Sequence, residues 1–462
     1  MVKGVRLTER AECGMLMGQH LEVALMFRHY VALVGATVLL VLANAVGAVA
    51  QETPAETPSR KLASSPIVGH VTESTAMVWA TTLDDPQKLA LEYRAKGDAE
   101  APTLHVTGDV QLDSAFTSVV FTASHLEADT DYLYRLRWTD EEADPHTDAE
   151  IDPWQVPSHD GRSGEFTTAP PTGRPGAFTM AVSSCMHSTN EPEQLSWRLM
   201  RSQQPSFHLL IGDVVYADTT DRDTLWEHHL RQRAVTDFAA VLRETPTYPM
   251  WDDHDYGPND SDGTAEGKEG SLRAFGELWA LPPLGVDDTP GAFYSFQWGD
   301  VEFFMLDGRY HRSPDKAPND DAKRMLGDAQ FAWLVDGLKR STATFKVLAS
   351  GSTLRASGAD GWRIYDFARE RLYNAIMDNE IQGVMYLSGD VHASFLEVHE
   401  TGGYPLVEVI SSGIANSGWK SFATLSFDTT TDDPSVRVRI INGDGSVPVD
   451  KTFALSAMSV TK

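Results

Sequence analysis

From Phe178 onward, short runs that are apolar throughout alternate with stretches of helical periodicity, and this alternation restricts the fold more than any other feature of the chain. The apolar runs are Phe178 to Ser184, Phe207 to Ile211, Tyr248 to Trp251, Val301 to Leu306, Phe345 to Ser350, Gly383 to Leu387 and Leu406 to Ile410. Helical spacing falls in Arg222 to Arg243, Ser271 to Trp279, Asp328 to Arg340 and Asp366 to Asn379. A strand that is apolar on both sides is stable only if both its faces are covered. The pattern therefore predicts an α/β domain over residues 175–462, with Ala423 to Phe453 returning to strand-like alternation at its end.

The preceding segment reads differently. Thr75 to Thr81, Leu89 to Tyr93, Ala115 to Thr122 and Asp131 to Trp138 alternate or are rich in β-branched and aromatic residues, with turns between them and no helical period. They predict an all-β sandwich of the fibronectin/Ig-like kind over residues 62–171, joined to the α/β domain by Ala169 to Pro175. This segment holds no cluster of catalytic residue types, so its expected role is architectural.

At the N-terminus, Tyr30 to Ala50 is uncharged, comes after Arg28 and His29, and ends in Ala48-Val49-Ala50, a small-x-small cleavage pattern. Residues 1–50 are read as a leader whose signal peptide occupies 26–50, and residues 51–61 as a polar linker. The rival reading is an uncleaved anchor, because the run is long enough to span a bilayer. Either way the catalytic part is expected outside the cytoplasm: periplasmic, extracellular or on the cell surface. Of the two cysteines, Cys13 lies in the leader, so the mature chain keeps only Cys185 and no internal disulfide. With 66 acidic against 38 basic residues, the net charge of -28 repels phosphate backbones and argues against nucleic acid as a main partner.

The residues at the strand ends carry the chemistry. Five runs end in residues able to bind metal: Ser184-Cys185-Met186-His187, Gly212-Asp213-Val214-Val215-Tyr216, Asp252-Asp253-His254-Asp255, Leu306-Asp307-Gly308-Arg309 and Gly389-Asp390-Val391-His392. In open α/β sheets ligands bind beyond the carboxyl ends of strands. Singly, each has a plainer explanation. Asp213 could be a turn residue, Cys185 a core residue, His254 a satisfied histidine and Arg309 half of a surface ion pair. Five converging with Cys, Tyr and His exceed what helix capping by Asp explains.

Thiolate, phenolate and carboxylate together suit ferric iron, and thiolate also suits zinc. Oxygen donors such as Asp253 and Asn259 suit calcium, manganese or magnesium. Two metals bridged by one carboxylate can bind and deprotonate water and polarise a phosphoryl oxygen, with Arg309 offering a planar fork to phosphate.

These motifs resemble those of the PhoD-like alkaline phosphatases, a branch of the calcineurin-like metallophosphoesterases with purple-acid-phosphatase-like features. The matching segments are Ser183 to Cys185, Gly212 to Asp218, Trp251 to Asp255, Leu306 to Arg312 and Ser388 to Phe395. The resemblance implies a β-sheet sandwich flanked by helices. It implies that Cys185, Asp213 and Tyr216 hold Fe3+ and that Asp213 bridges to a second ion, Ca2+ in that family, with Zn2+ or Mn2+ as alternatives. Asp253 and Asn259 would bind that second ion, and Asp390 and His392 match the closing metal-binding motif. His254 takes the place of the histidine that contacts phosphate or protonates the leaving group. Cys185-x-His187 also resembles the superfamily's Asp-x-His, which makes His187 an alternative to Tyr216.

The function implied is hydrolysis of phosphate monoesters, or of diesters in polymers or lipids, by a metal-activated hydroxide, with no obligate protein partner. Two further readings stand beside it: a purple-acid-like monoesterase with a different second metal, and a non-catalytic exported binding protein on this scaffold.

Overall fold

The strands of the N-terminal segment alternate buried and exposed residues because each sheet has one face on a core and one on solvent. The structure, a computed structural model, describes residues 61–97, 102–112, 116–140, 154, 161–354, 360–416 and 418–460. The expected leader lies outside them, as does most of the linker. Eight strands come first: β1 (Ile67–Val71), β2 (Thr75–Thr81), β3 (Leu89–Ala95), β4 (Leu104–Thr107), β5 (Asp109–Leu112), β6 (Thr117–Ser124), β7 (Asp131–Trp138) and β8 (Ser163–Thr167). They form two antiparallel sheets, ordered β1-β2-β6-β5 and β4-β3-β7-β8. Trp79 and Phe121 from one sheet and Leu91, Tyr134 and Trp138 from the other are buried.

The α/β part comes next, in two six-stranded sheets. The first, ordered β11-β10-β9-β18-β19-β20, contains β9 (Ala177–Ser183), β10 (Phe207–Ile211), β11 (Thr247–Met250), β18 (Ser421–Asp428), β19 (Ser435–Asn442) and β20 (Val449–Ala454). The second, ordered β12-β13-β14-β15-β17-β16, contains β12 (Tyr294–Trp298), β13 (Val301–Met305), β14 (Phe345–Ala349), β15 (Val384–Ser388), β16 (Phe395–Glu400) and β17 (Pro405–Ile410). Strands β9, β10 and β11 run parallel, as do β13, β14, β15 and β17. Phe207, Phe303 and Phe427 pack between the sheets with centroids 5.2 to 6.4 Å apart. A second cluster around Leu334, Leu372 and Tyr386 sits beneath the outer helices.

The helices are α1 (Ser196–Arg201), α2 (Arg222–Arg233), α3 (Thr236–Glu244), α4 (Asp253–Tyr256), α5 (Lys268–Leu278), α6 (Asp328–Arg340) and α7 (Asp366–Asp378). The single helix expected over Arg222 to Arg243 is two. Val235 adopts an extended conformation (φ -66°, ψ 117°) between them and breaks the hydrogen-bond ladder. Strands β12 and β16 were not anticipated. Both are edge strands with one face wetter than the other, so they lack the continuously apolar signature of buried parallel strands.

The two N-terminal sheets and the α/β layers share one buried core. Trp79 donates to the carbonyl of Glu277 at 2.8 Å, Tyr134 to that of Arg243 at 2.9 Å and Tyr248 to that of Val71 at 3.0 Å. Phe116 stacks on Trp226 at 5.1 Å. The N-terminal sheets are thereby held against the helices that flank the site.

Candidate metal centre

Each functional loop begins where a buried parallel strand ends. The loops after β9, β10, β11, β14, β15 and β17 leave the same edges of the two sheets and are bonded to one another through their backbones. Cys185 N–H donates to Gly212 O (3.3 Å), Met186 N–H to Asp213 O (3.0 Å), Gly389 N–H to Gly351 O (2.8 Å) and Gly413 N–H to Ser184 O (3.1 Å). Such close approach needs glycine. A Cβ on Gly389 would lie 2.5 Å from Ser184 Oγ, and one on Gly351 2.2 Å from Asp252 Cγ. Four candidate ligands carry a conformational cost as well: Cys185, Asp213, Asp390 and His392 all have left-handed backbones, with φ of 58°, 52°, 70° and 53°. Non-glycine residues are rare there, and such strain gathers at functional sites.

Two ligand clusters share Asp213. In the first, donor atoms of Cys185, Asp213 and His392 lie within 4.8 Å of one another, and in the second, those of Asp213, Asp253 and His254 do. Cys185 Sγ is 3.3 Å from Asp213 Oδ2 and accepts from Ser412 Oγ at 3.1 Å. The Tyr216 hydroxyl stands 3.3 Å from Asp213 Oδ2 and 2.8 Å from His392 Nε2, and accepts from Asn416 Nδ2 at 2.7 Å. His187 stacks on the Tyr216 ring at 4.8 Å instead of joining this group, so Tyr216 holds the central position.

The electrostatics call for a cation. Burial, then Asp253, Asp252, Asp255 and Asp390, push the Asp213 carboxyl well above the usual range. Burial, then Asp213, do the same to the Cys185 thiol. Asp213 Oδ1, Asp252 Oδ2 and Asp253 Oδ1 are buried with no hydrogen-bond partner among the described residues. Buried polar atoms are normally paired, and like charges this close are stable as anions only around a positive ion. The donor set therefore fits metal. For Asp253, burial works against ionisation, but Arg309, His254 and backbone N–H groups hold its carboxyl below the usual range.

Other expected residues divide. His254 stands at the mouth, its Nδ1 2.6 Å from Asp218 Oδ1 and its ring 4.2 Å from that of Tyr216. Asp390 and His392, two positions apart in sequence, serve different groups: His392 joins Cys185 and Asp213, whereas Asp390 lies within 4.8 Å of Asp252 and Asp360. Asn259 is exposed on the turn after α4. Beside it Asp260 clusters with Asp253 and Asp360, and its N–H donates to Asp253 Oδ2 at 2.7 Å.

The Leu306 to Arg309 run requires correction. Asp307 is fully buried, with Oδ1 accepting from Trp251 Nε1 and the N–H groups of Arg309 and Tyr310, and Oδ2 from Ala292 N–H, so it braces loops. Arg309 was expected to fork onto phosphate, or else to form a surface ion pair. Its side chain is 0% exposed; Nε donates to Asp252 at 2.6 Å, Nη1 donates to Asp360 at 3.0 Å and Nη2 also binds Asp360. It neutralises carboxylates beneath the centre and presents no free edge to a substrate.

Asp218, Asp260, Asp360 and Asn416 were not assigned roles from sequence. Asp218 ends the segment Gly212 to Asp218 and Asp260 lies one residue from Asn259, so weak signals existed. Asp360 and Asn416 stand at the end of no strand pattern of that kind, and only folding brings them here.

Comparison with known proteins agrees with this geometry. A profile of the PhoD-like phosphatase family matches residues 180–452. Alkaline phosphatase D of Bacillus subtilis (strain 168) is 27% identical over 221 residues, covering 40% of this chain and only 38% of that protein's length. A solved structure of PhoD superimposes with a TM-score of 0.67 at 18% identity, over 87% of this chain and 90% of the other. A purple acid phosphatase from yellow lupin (Lupinus luteus) seeds gives 0.60 at 13% identity, over 85% and 74%. Both share the fold, and because the family profile spans more than half of the 462 residues, including every candidate ligand loop described above, this chain belongs to the PhoD-like phosphatase family.

Proposed function

We propose that this protein hydrolyses phosphoric esters, monoesters or diesters, at a two-metal site built on Asp213. The observation that carries the reading is the shared carboxylate: Asp213 belongs to both the Cys185–His392 cluster and the Asp253–His254 cluster, and its Oδ1 lacks a hydrogen-bond partner among the described residues. Cys185, Asp213, Tyr216 and His392 would hold Fe3+, whose affinity for thiolate, phenolate and carboxylate suits that set. Asp213 and Asp253, with the neighbouring Asp260 or Asn259, would hold Ca2+ through oxygen alone. Metals held there would acidify a water and polarise a phosphoryl oxygen.

The chain's own groups do the rest. Asp218 accepts from His254 Nδ1–H and fixes the ring over Tyr216; in the imidazolium form Nε2 then carries the proton that passes to the departing ester oxygen. Asn416 donates to the Tyr216 hydroxyl and holds it against Asp213 and His392. Arg309 keeps Asp252 and Asp360 charge-balanced, so the carboxylates stay packed under the site. We further read the chain as exported, with the N-terminal sheets a fibronectin/Ig-like domain of structural role. The substrates are small phosphate esters or diester-linked polymers and lipids.

The test pairs metal analysis of the purified protein with hydrolysis of a chromogenic monoester and a chromogenic diester, before and after chelation. Iron with calcium, and activity lost on chelation, support the reading. Zinc or manganese at the second position would assign it to the purple-acid-like variant. Protein that stays inactive after reconstitution with both ions would show that the scaffold is not catalytic.

A further inference from the structure

Next to the metal centre, on the other side of His187 and Tyr216, lies a recess with a cavity volume of about 40 Å³. A space of that size holds about three waters, so it suits a single small polar group. Its walls are Ser188 and Thr189 from the loop after β9, and His228 and Arg231 from α2. His228 and Arg231 are three residues apart and therefore lie on one helix face. Buried Met186, Val215 and Gln232 form the remainder.

The polar side chains here face the recess without protein partners, Thr189 and Arg231 from exposed positions. Among the described residues, the side chains of Ser188, Thr189, His228 and Arg231 make no hydrogen bond or ion pair. Other arginines of the same helix are engaged. Arg222 binds Glu277 at 2.7 Å and Asp223 at 2.6 Å, and Arg233 donates to Leu278 O and lies over the rings of Trp79 and Trp279. An unpaired guanidinium beside a centre lined by carboxylates, on a chain of net charge -28, is a local positive site in a negative field. The recess is also held in shape. Gln194 and Gln232 exchange amide hydrogen bonds at 2.8 and 3.1 Å, and Trp197 donates to Gln194 at 2.7 Å, which ties the loop to the helix.

We propose that this recess is a second anion subsite, which binds a phosphate or carboxylate carried by the leaving group of the ester. Arg231 supplies the charge-assisted contact, and His228, Ser188 and Thr189 supply neutral ones. The proposal rests on the phosphoesterase reading above and names its preferred substrates: esters with two anionic groups, the first at the metals and the second here. Tyr216 is the partition between them, since its ring lines the recess while its hydroxyl meets Asp213 and His392.

The experiment measures kcat/KM of the metal-replete full chain on p-nitrophenyl phosphate, fructose 1,6-bisphosphate and 3-phosphoglycerate, in wild type, Arg231→Gln and Arg231→Lys. The bisphosphate carries a second phosphate, and the glycerate a carboxylate. The ratio of either doubly anionic substrate to p-nitrophenyl phosphate is expected to fall about tenfold in R231Q, through KM more than kcat, and to recover in part in R231K. A larger fall for one of the two identifies which anion the subsite takes. An unchanged ratio for both overturns the proposal. If wild type hydrolyses none of the three, the monoesterase form of the phosphoesterase reading fails. Calorimetric binding of fructose 1,6-bisphosphate then decides the subsite independently: weaker binding in R231Q upholds it, and equal binding ends it.

Discussion

Asp213 makes opposed contributions to stability and to function. Its carboxyl is buried among Asp252, Asp253, Asp255 and Asp390, a crowd of like charge that only a cation relieves. Asp213→Asn should therefore act with opposite signs on two measurements. In chelator, the variant should be more stable than wild type by about 1–3 kcal/mol in urea denaturation, because a buried charge penalty has been removed. With metals restored, its activity should fall more than about 100-fold, beyond what loss of an outer partner costs. A variant less stable than wild type in chelator would show that Asp213 is held by hydrogen bonding and that repulsion is minor. Arg309 teaches the complementary lesson. Its sequence position after a strand suggested phosphate contact, yet it is the buried counter-charge to Asp252 and Asp360. Arg309→Ala should lower stability by about 3–5 kcal/mol, since breaking a buried pair leaves uncompensated charge. Lost activity at unchanged stability would return it to the substrate.

At the scale of elements, the site is a junction of loops, and its precision comes from how closely those loops pack. Gly351 sits just after β14 where a side chain would meet Asp252 Cγ at 2.2 Å. Gly351→Ala should cost about 1–3 kcal/mol by overpacking, and should weaken metal binding through displaced Asp252, measured by titrating the metal-free protein. Unaltered metal affinity in a destabilised G351A would separate the loop from the centre. The buried parallel strands were legible because each is apolar on both faces, and so were the residues of metal-binding type at their ends. Edge strands β12 and β16 were hidden by their wetter faces, and the break at Val235 by an apolar pattern that runs on through both helices. Asp360 was illegible for a different reason: no strand ends before it, and it reaches Arg309 across 51 residues of chain.

For the molecule as a whole, acid should act through buried histidines as well as through the metal ligands. His208 on β10 is fully buried, with Nε2 2.8 Å from Ser183 Oγ and Nδ1 unpaired among the described residues, and burial lowers it to about 3. The unfolded chain takes up a proton near pH 6.5 that the folded chain refuses, so folding stability is complete above that value and declines as pH falls toward about 3. The stability advantage of wild type over His208→Gln should shrink by about 1.4 kcal/mol per pH unit between pH 6 and 4. A gap independent of pH would mean that His208 finds a proton-accepting partner in the fold.

Sequence alone determined the α/β class of the later part, the strands whose ends carry the candidate site, and the identities of Cys185, Asp213, Tyr216, Asp253, His254, Asp390 and His392 as residues of metal-binding type. Those properties are local: burial on both faces, and donor chemistry at a strand's end. Tertiary structure alone decided which of these residues share a cluster, that Tyr216 and not His187 stands against Asp213, that Arg309 faces inward, and that Asp218, Asp360 and Asn416 complete the surroundings. Partnership is set by where loops from two sheets meet, and that depends on packing between distant segments, which no local pattern encodes.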